Sequence, residues 1–369
     1  MKNSGGQPIT IHQFHYTATA GDAVTNHMLF IRSALRDIGI GGEIFVGESR
    51  APASYRIHPF APNRFWDSDL VLVHHSHGNP LLREILQLEI PRALIYHNVT
   101  PPTFFAHDPH MARFSNKGRS ELAAYAGVVS AAFGVSRYNC AELKAMGFQN
   151  PTVFPLVDLS QGPVEPKPKA SSDEKELVFV GKLTPHKNQA LLLHMLYYLE
   201  HAYPGLYRLV LAGRADPLYA EYLKLAARAL GLEDRVRFTG PVVQKELELV
   251  YQRAAALVCP SLHEGFCVPL VEAMQRRVPV FAIPVTGVRE TLGKAGVRLV
   301  SRQPHKIAES VHTVLSDARA TQGIVAGQIT RLEELARIHN RERVRSLCVD
   351  LVQRLRGLAY EGPYADLSL

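Results

Sequence analysis

The densest chemistry in the chain runs from Ser261 to Glu272, reading Ser-Leu-His-Glu-Gly-Phe-Cys-Val-Pro-Leu-Val-Glu. It follows an apolar run, 256–259, that reads as a buried strand, and Pro269 suits the first turn of a helix. The N–H groups of Gly265, Phe266, Cys267 and Val268 would then point outward from a helix start, an anion site apt for a diphosphate. Gly265 would let the backbone approach a ligand closely. Glu264 and Glu272 stand on either side of that turn, and ionised carboxylates accept strong hydrogen bonds from hydroxyls such as those of a sugar. The plainer alternative makes Glu264 a cap and Glu272 an ordinary helix acid.

A second set of cations lies upstream. Lys182 and Lys187 follow a strand that ends at Gly181, and ligand crevices of α/β sheets lie at such strand ends. Their alternative is a pair of surface lysines. Gly21 and Asp22 stand between the first strand and the first helix, where Asp22 also fits a helix N-cap. His97 ends another strand, beside an extended loop imposed by Thr100-Pro101-Pro102. His74, His75 and His77 crowd one strand end, without a carboxylate or cysteine to complete a recognisable metal set. Asp67-Ser68-Asp69 has the form of a metal-binding D-x-D but precedes a strand, the wrong end for a ligand crevice, and reads as a turn.

The elements that must hold these residues alternate. Apolar runs at 9–14, 43–46, 69–74, 93–96 and 128–135 read as strands, with helices over 24–38 and 138–146. A Pro- and Lys-rich stretch, 161–176, reads as a linker. Strands at 177–180, 208–212, 236–239, 256–259 and 280–282 then alternate with helices over 188–203, 219–230, 245–253 and from 269, and Arg289 opens a short helical turn. Two rounds of strand–helix alternation imply two doubly wound α/β domains, 1–163 and 164–369. The segment 329–358 has one helical pattern, studded with Arg331, Arg337, Arg341, Arg343, Arg345, Arg354 and Arg356. It reads as a solvated basic face, or else as a membrane-surface or interdomain contact.

Composition narrows the class. The chain has 369 residues, 46% hydrophobic and 20% charged, enough to build real cores. No run approaches the roughly 18 apolar residues of a membrane-spanning helix. Residues 1–8 lack a signal-peptide apolar core, so a soluble cytoplasmic protein is expected. The four cysteines, Cys140, Cys259, Cys267 and Cys348, form no C-x-x-C pair, which argues against a disulfide scaffold or structural zinc. Net charge is +7 and uneven: 13 Lys/Arg against 12 Asp/Glu in residues 1–164, and 28 against 22 in the rest. The basic half favours an anionic partner. No nucleic-acid module is present in the sequence, so nucleic acid is not expected as a partner.

The strings HEGFCVPLVEAM, VFVGKLTPHKN, LVLAGRAD and FTGPVV together resemble the C-terminal domain of the family-four retaining glycosyltransferases of GT-B fold. GDAVTNH, YHNVTPPTFF and GVSRYNCAELKAMGF resemble the N-terminal half of bacterial mannosyl- and rhamnosyl-type transferases of surface polysaccharide and lipopolysaccharide synthesis. The resemblance runs from about Ile9 to Glu290. It implies two Rossmann-like domains facing across a cleft, with a last helix, about 340–358, packing back on the first domain. Glu264 would contact donor-sugar hydroxyls and Glu272 the ribose, with backbone donors from Gly265, Phe266 and Cys267. Gly181, Lys182 and Lys187 match the family's G-R-x-x-x-x-K, with Lys182 in place of Arg, so one bidentate fork is lost. Gly21 and Asp22 would face donor and acceptor, His97 would lie beside the reacting sugar, and Gly213, Gly240 and Val242 would approach the nucleotide. Thr286 stands where the family's loop before Arg289-Glu290 carries glycine.

The activity so implied is metal-independent, retaining transfer of a hexose, mannose or a deoxyhexose, from a nucleotide sugar to a glycan or lipid-linked acceptor. The leaving diphosphate would act as base, and no permanently bound cofactor is implied. YHNVTPPTFF leans to a GDP-sugar. The alternatives are a UDP-sugar donor and a non-catalytic nucleotide-sugar-binding subunit of a polysaccharide assembly complex. Peripheral contact with the inner membrane surface is the remaining partner expectation.

Overall fold

The computed structural model describes residues 9–66, 68–164 and 174–357. The chain divides into two compact units: one holds the chain up to Ser160 and again from Ala336, the other is Gln161–Leu335.

The first unit is laid down by β1 (Ile11–Thr19), α1 (Ala23–Arg36), β2 (Ile44–Arg50), β3 (Ile57–Pro59), β4 (Leu70–His75), α2 (Leu82–Leu86), β5 (Arg92–Tyr96), α3 (Pro109–Tyr125), β6 (Ala131–Gly134), α4 (Arg137–Ala145) and β7 (Thr152–Val153). The strands form one parallel sheet in the order β3-β2-β1-β4-β5-β6-β7. β4 is buried along its whole length, as a continuous apolar run covered on both faces must be. Phe14, Phe45, Phe65, Val71, Leu94 and Tyr125 meet in its core. Each such burial contributes about 1.5–3 kcal/mol. Asp22 caps α1, its Oδ2 accepting from Thr25 N at 3.0 Å, so this carboxylate is occupied by the helix start.

The second unit repeats the pattern with β8 (Lys175–Val180), α5 (Gln189–Ala202), β9 (Tyr207–Ala212), α6 (Pro217–Ala229), β10 (Val236–Gly240), α7 (Gln244–Arg253), β11 (Ala254–Cys259), α8 (Val268–Gln275), β12 (Val280–Ala282), α9 (Thr286–Leu292), β13 (Val297–Arg298), α10 (Pro304–Ser316) and α11 (Ala318–Ala336). Its parallel sheet has the order β10-β9-β8-β11-β12-β13. The direction of winding reverses between β8 and β11. The crevice outside the carboxyl ends of those two strands is where such sheets place ligands.

The linker expected at 161–176 is shorter than that. Val164 N donates to Gln275 O at 2.8 Å, Glu174 pairs with Arg208 and Arg235, and β8 has begun by Lys175; residues 165–173 lie outside the described set. The single helix expected over 329–358 is two. α11 stops at Ala336, and α12 (Arg341–Leu355) starts from Asn340, whose Oδ1 accepts from Arg343 N at 2.7 Å. A local cap overrides the continuous pattern, and residue 358 is not described. α12 packs on α1 in the first unit. Arg341 and Arg345 both pair with Asp37, at 2.7 and 2.8 Å, and Arg341 also reaches Asp158. Arg331 bonds the carbonyls of Glu290 and Thr291, and Arg356 pairs with Asp69. Arg354 bonds Asp350 O, so five of the seven arginines read as a solvated face, or else as a membrane-surface or interdomain contact, are engaged by the protein itself. Among the described residues, no helix is long and apolar enough to cross a membrane.

Candidate active site

In the second unit two loops leave adjacent strands at the reversal point. The loop after β8 carries Gly181 to Lys187; the loop after β11 carries Ser261 to Cys267. Leu262 N donates to His186 O at 2.8 Å and stitches them together. Across that stitch Lys187 Nζ lies 2.6 Å from Glu264 Oε2, with side chains only 17% and 13% exposed. Burial alone would lower the Lys187 pKa, but the Glu264 carboxylate overrides it and holds the ammonium above its usual value. Ser261 Oγ donates to the other carboxylate oxygen, Oε1, at 2.8 Å. Lys182 is exposed, and its side chain meets no partner among the described residues.

A third loop closes on the same carboxylate's backbone. Glu264 N donates to Thr286 Oγ1 at 2.9 Å, while Thr286 Oγ1 and Gly287 N donate to Glu264 O at 2.8 and 3.0 Å. Thr286 holds φ at 41°, costly for a β-branched residue, and its two hydroxyl bonds keep it there. Thr286 is a site residue that sequence reasoning marked only as a departure from glycine.

Glu272, on α8, is half-buried. Burial raises its pKa, and Tyr251 on α7 holds its Oε2 with a hydroxyl bond of 2.8 Å. Arg276 stacks over the Tyr251 ring and forks onto Glu248 Oε2. No sequence signal pointed to Tyr251, which lies on a different helix. Tyr251→Phe should cost about 1 kcal/mol, because Glu272 loses a buried donor; a thermal melt indistinguishable from wild type would contradict this.

Cys267 is the N-cap of α8 in the left-handed region, with φ 78°. Its Sγ lies 3.7 Å from Cys259 Sγ, both buried. Their spacing in sequence had placed them apart, but a strand end and a helix start fold the loop between them back on itself. With Glu264 they make one of two groups among the described residues whose ligand atoms converge. Gly181, Gly213 and Gly240 end β8, β9 and β10 side by side: Gly181 N donates to Ala212 O, and Gly213 N to Gly240 O. Val242, two residues beyond, is half-buried. Gly265 and Val268 are half-buried, whereas the Phe266 ring is 2% exposed and belongs to the core.

In the first unit the histidines sort differently from their order in the chain. His74 and His75 are neighbours on a strand and face opposite sides of the sheet. His75 Nε2 bonds Gly118 O at 2.7 Å, and His77 Nε2 lies 3.1 Å from Thr17 Oγ1. The set that converges is His27, His74 and His97, the second group of clustered ligand atoms. Gly21, with φ 75°, is exposed ahead of α1. Asp69 is occupied at the opposite end of β4, accepting from Thr10 N at 2.7 Å and pairing with Arg356; Asp67 lies outside the described residues.

Burial drives His15 and His27 down to about 3 and His75 to about 4, and His74 and His97 well below their ordinary value. All five folded values lie below the unfolded 6.5. Their neutral forms therefore support folding fully above pH 6.5, and that support is lost as pH falls toward the folded values. Each imidazole accounts for up to about 1.4 kcal/mol per pH unit. The urea midpoint of unfolding should drop steadily from pH 6.5 to 4; a midpoint flat over that range would refute the assignment.

Residues 163–326 match the family described as glycosyl transferases group 1. That span is nearly the whole second unit, Gln161–Leu335. Over the full chain the fold is that of GT-B proteins. HepE of Anabaena, solved with UDP and glucose, superposes with a TM-score of 0.73 at 16% identity, covering 94% of this chain and all of that one. Sucrose-phosphate synthase of Thermosynechococcus elongatus gives 0.74 at 16%, covering 95% and 99%.

Among curated relatives, the O-antigen chain mannosyltransferase RfbU of Salmonella typhimurium is 37% identical over 122 residues, 32% of this chain and 33% of its own. The D-inositol 3-phosphate glycosyltransferase of Frankia alni is 34% identical over 164 residues, 42% of this chain and 40% of its own. The chain thus spans well under half the length of the curated relatives it matches.

Proposed function

We propose that the protein is a retaining glycosyltransferase that takes a hexose from a nucleotide sugar and passes it to a glycan or lipid-linked acceptor in surface polysaccharide synthesis. One observation carries the reading. The second unit, which matches a glycosyltransferase family, pairs Lys187 with Glu264 at the reversal point of its sheet. In this reading Lys187 and Lys182 neutralise charge that develops on the leaving diphosphate. Glu264 accepts from donor-sugar hydroxyls and Glu272 from the ribose. Gly181, Gly213, Gly240, Val242, Gly265 and Cys267 line the nucleotide with backbone, and Gly21 and His97 serve the sugar and acceptor side. Positive charge from the lysines makes a divalent metal unnecessary.

The donor proposed first is a GDP-sugar, with mannose supported by the likeness to RfbU. A UDP-sugar is the second reading, supported by the fold shared with HepE, which was solved with UDP-glucose. Thermal shift without added metal, against GDP, UDP, ADP and dTDP and their sugars, followed by assay of diphosphate release and transfer, tests both. Selective stabilisation and turnover with one nucleotide class supports the reading and names the base. Binding without turnover for any acceptor would leave a nucleotide-binding subunit instead.

A further inference from the structure

The network around His97 in the first unit dictates where its protons sit. Gln13, on β1, donates its amide nitrogen to Met28 O at 2.9 Å, which turns its Oε1 away from that carbonyl. His74 Nε2 lies 3.1 Å from this Oε1, and an amide oxygen only accepts. His74 therefore carries its proton on Nε2. Burial keeps the ring neutral, so its Nδ1 is a bare lone pair. His27 is pinned in the same sense: Nε2 lies 2.7 Å from Pro155 O and must donate, which leaves its Nδ1 bare. Both bare nitrogens face one atom, His97 Nε2, at 2.8 Å from His74 and 3.4 Å from His27. Three lone pairs cannot satisfy one another, so the proton resides on His97 Nε2. A neutral imidazole has one N–H, and the remaining nitrogen is then an acceptor. His97 Nδ1 meets no hydrogen-bond partner among the described residues, and the residue is half-buried.

We propose that Gln13, His74 and His27 are positioning residues that lock His97 in the Nε2–H tautomer, so that His97 offers Nδ1 as an acceptor and selects a substrate that brings a hydroxyl to it. A deoxy position, an ether or a carbonyl at that place leaves the lone pair unmet. The proton position stands on the hydrogen-bond geometry and the burial of His27 and His74; only the identity of the hydroxyl-bearing molecule rests on the glycosyltransferase reading.

The test is a two-bond proton–nitrogen correlation spectrum of the full chain labelled with nitrogen-15 histidine, with the His97 signals assigned by their loss in His97→Asn. The expected pattern is a neutral ring with Nε2 protonated and Nδ1 bare. A protonated Nδ1, an imidazolium, or a metal ion among the three nitrogens overturns the proposal. The spectrum needs no activity. In a second arm, wild-type protein is given sugar nucleotides and analogues with single hydroxyls replaced by hydrogen. At one hydroxyl, replacement should lower kcat/KM about 10- to 100-fold, the cost of an unmet acceptor, and His97→Phe should flatten that preference. Equal turnover of every deoxy analogue overturns the selection. No turnover with any donor overturns the glycosyltransferase reading, while the spectrum still decides the tautomer.

Discussion

Lys187→Met should abolish most transfer while the chain still folds. The variant removes the cation from a pair held at 2.6 Å and leaves Glu264 with Ser261 as its side-chain donor. Loss of one preorganised group that stabilises developing negative charge lowers kcat by about 10²–10³. Breaking a largely buried pair by deleting one partner also costs about 3 kcal/mol of stability. Lys187→Arg keeps the charge, but its planar fork does not reproduce a compact ammonium at 2.6 Å, so only part of the activity should return. The pH dependence follows from direction. Lys187 is held above its ordinary value, so its stabilisation is complete below the unfolded lysine value and is lost only as pH rises through the folded one. The stability difference between wild type and Lys187→Met should therefore be constant from pH 6 to 9. Donor turnover and urea titrations at these pH values check both halves. A variant with wild-type kcat would remove Lys187 from the mechanism.

Gly287→Ala should damage the same site without touching a charge. A Cβ at Gly287 would stand 2.2 Å from Gly265 O, 2.4 Å from Gly265 C and 2.8 Å from Phe266 N. These are backbone atoms, which cannot swing aside as a side-chain tip can. The loop holding Glu264 must shift, and with it the bond from Gly287 N to Glu264 O. Overpacking of this kind costs about 1–3 kcal/mol, and a displacement near 1 Å in a positioned group lowers turnover about 100-fold. Gly323→Ala is the control. It lies within α11 with nothing within 4 Å of the added methyl, so it should stabilise by up to about 1 kcal/mol and leave turnover unchanged. Melting curves and donor turnover of the two variants decide the matter. Equal behaviour would mean that the Gly287–Gly265 approach does not position the site.

Much of the architecture was legible from local signals. Leu70 to Val73 announce a strand buried on both faces, and Asp22 announces a helix start; both are present. Other elements were silent. α3 and α10 went unread, although Asp108 caps the first and Pro304 opens the second, because 109–125 mixes Arg, Ser, Asn and Gly without a clean apolar stripe. The tail misled because its leucines keep helical spacing across 337–340, where Asn340 breaks the helix. In the candidate site, the strand–turn–helix at 256–272 was readable as an anion-binding turn, but Tyr251 and the two hydroxyl bonds of Thr286 were not.

By itself the sequence determined the alternation of strand and helix, the two rounds of it, and the presence of Lys187, Glu264 and His97 just beyond strand ends. Those properties are local: periodicity, caps and breakers act over a few residues. What only the tertiary structure decided is which of these meet. Lys187 reaches Glu264 because β8 and β11 are neighbours in the sheet although two strands lie between them in the chain. His74 meets His27 and His97, rather than His75 or His77, because strand neighbours face opposite sides while α1, β4 and β5 bring distant rings to one point. Strand order and register are set by packing of the whole sheet, and no spacing along the chain encodes them directly.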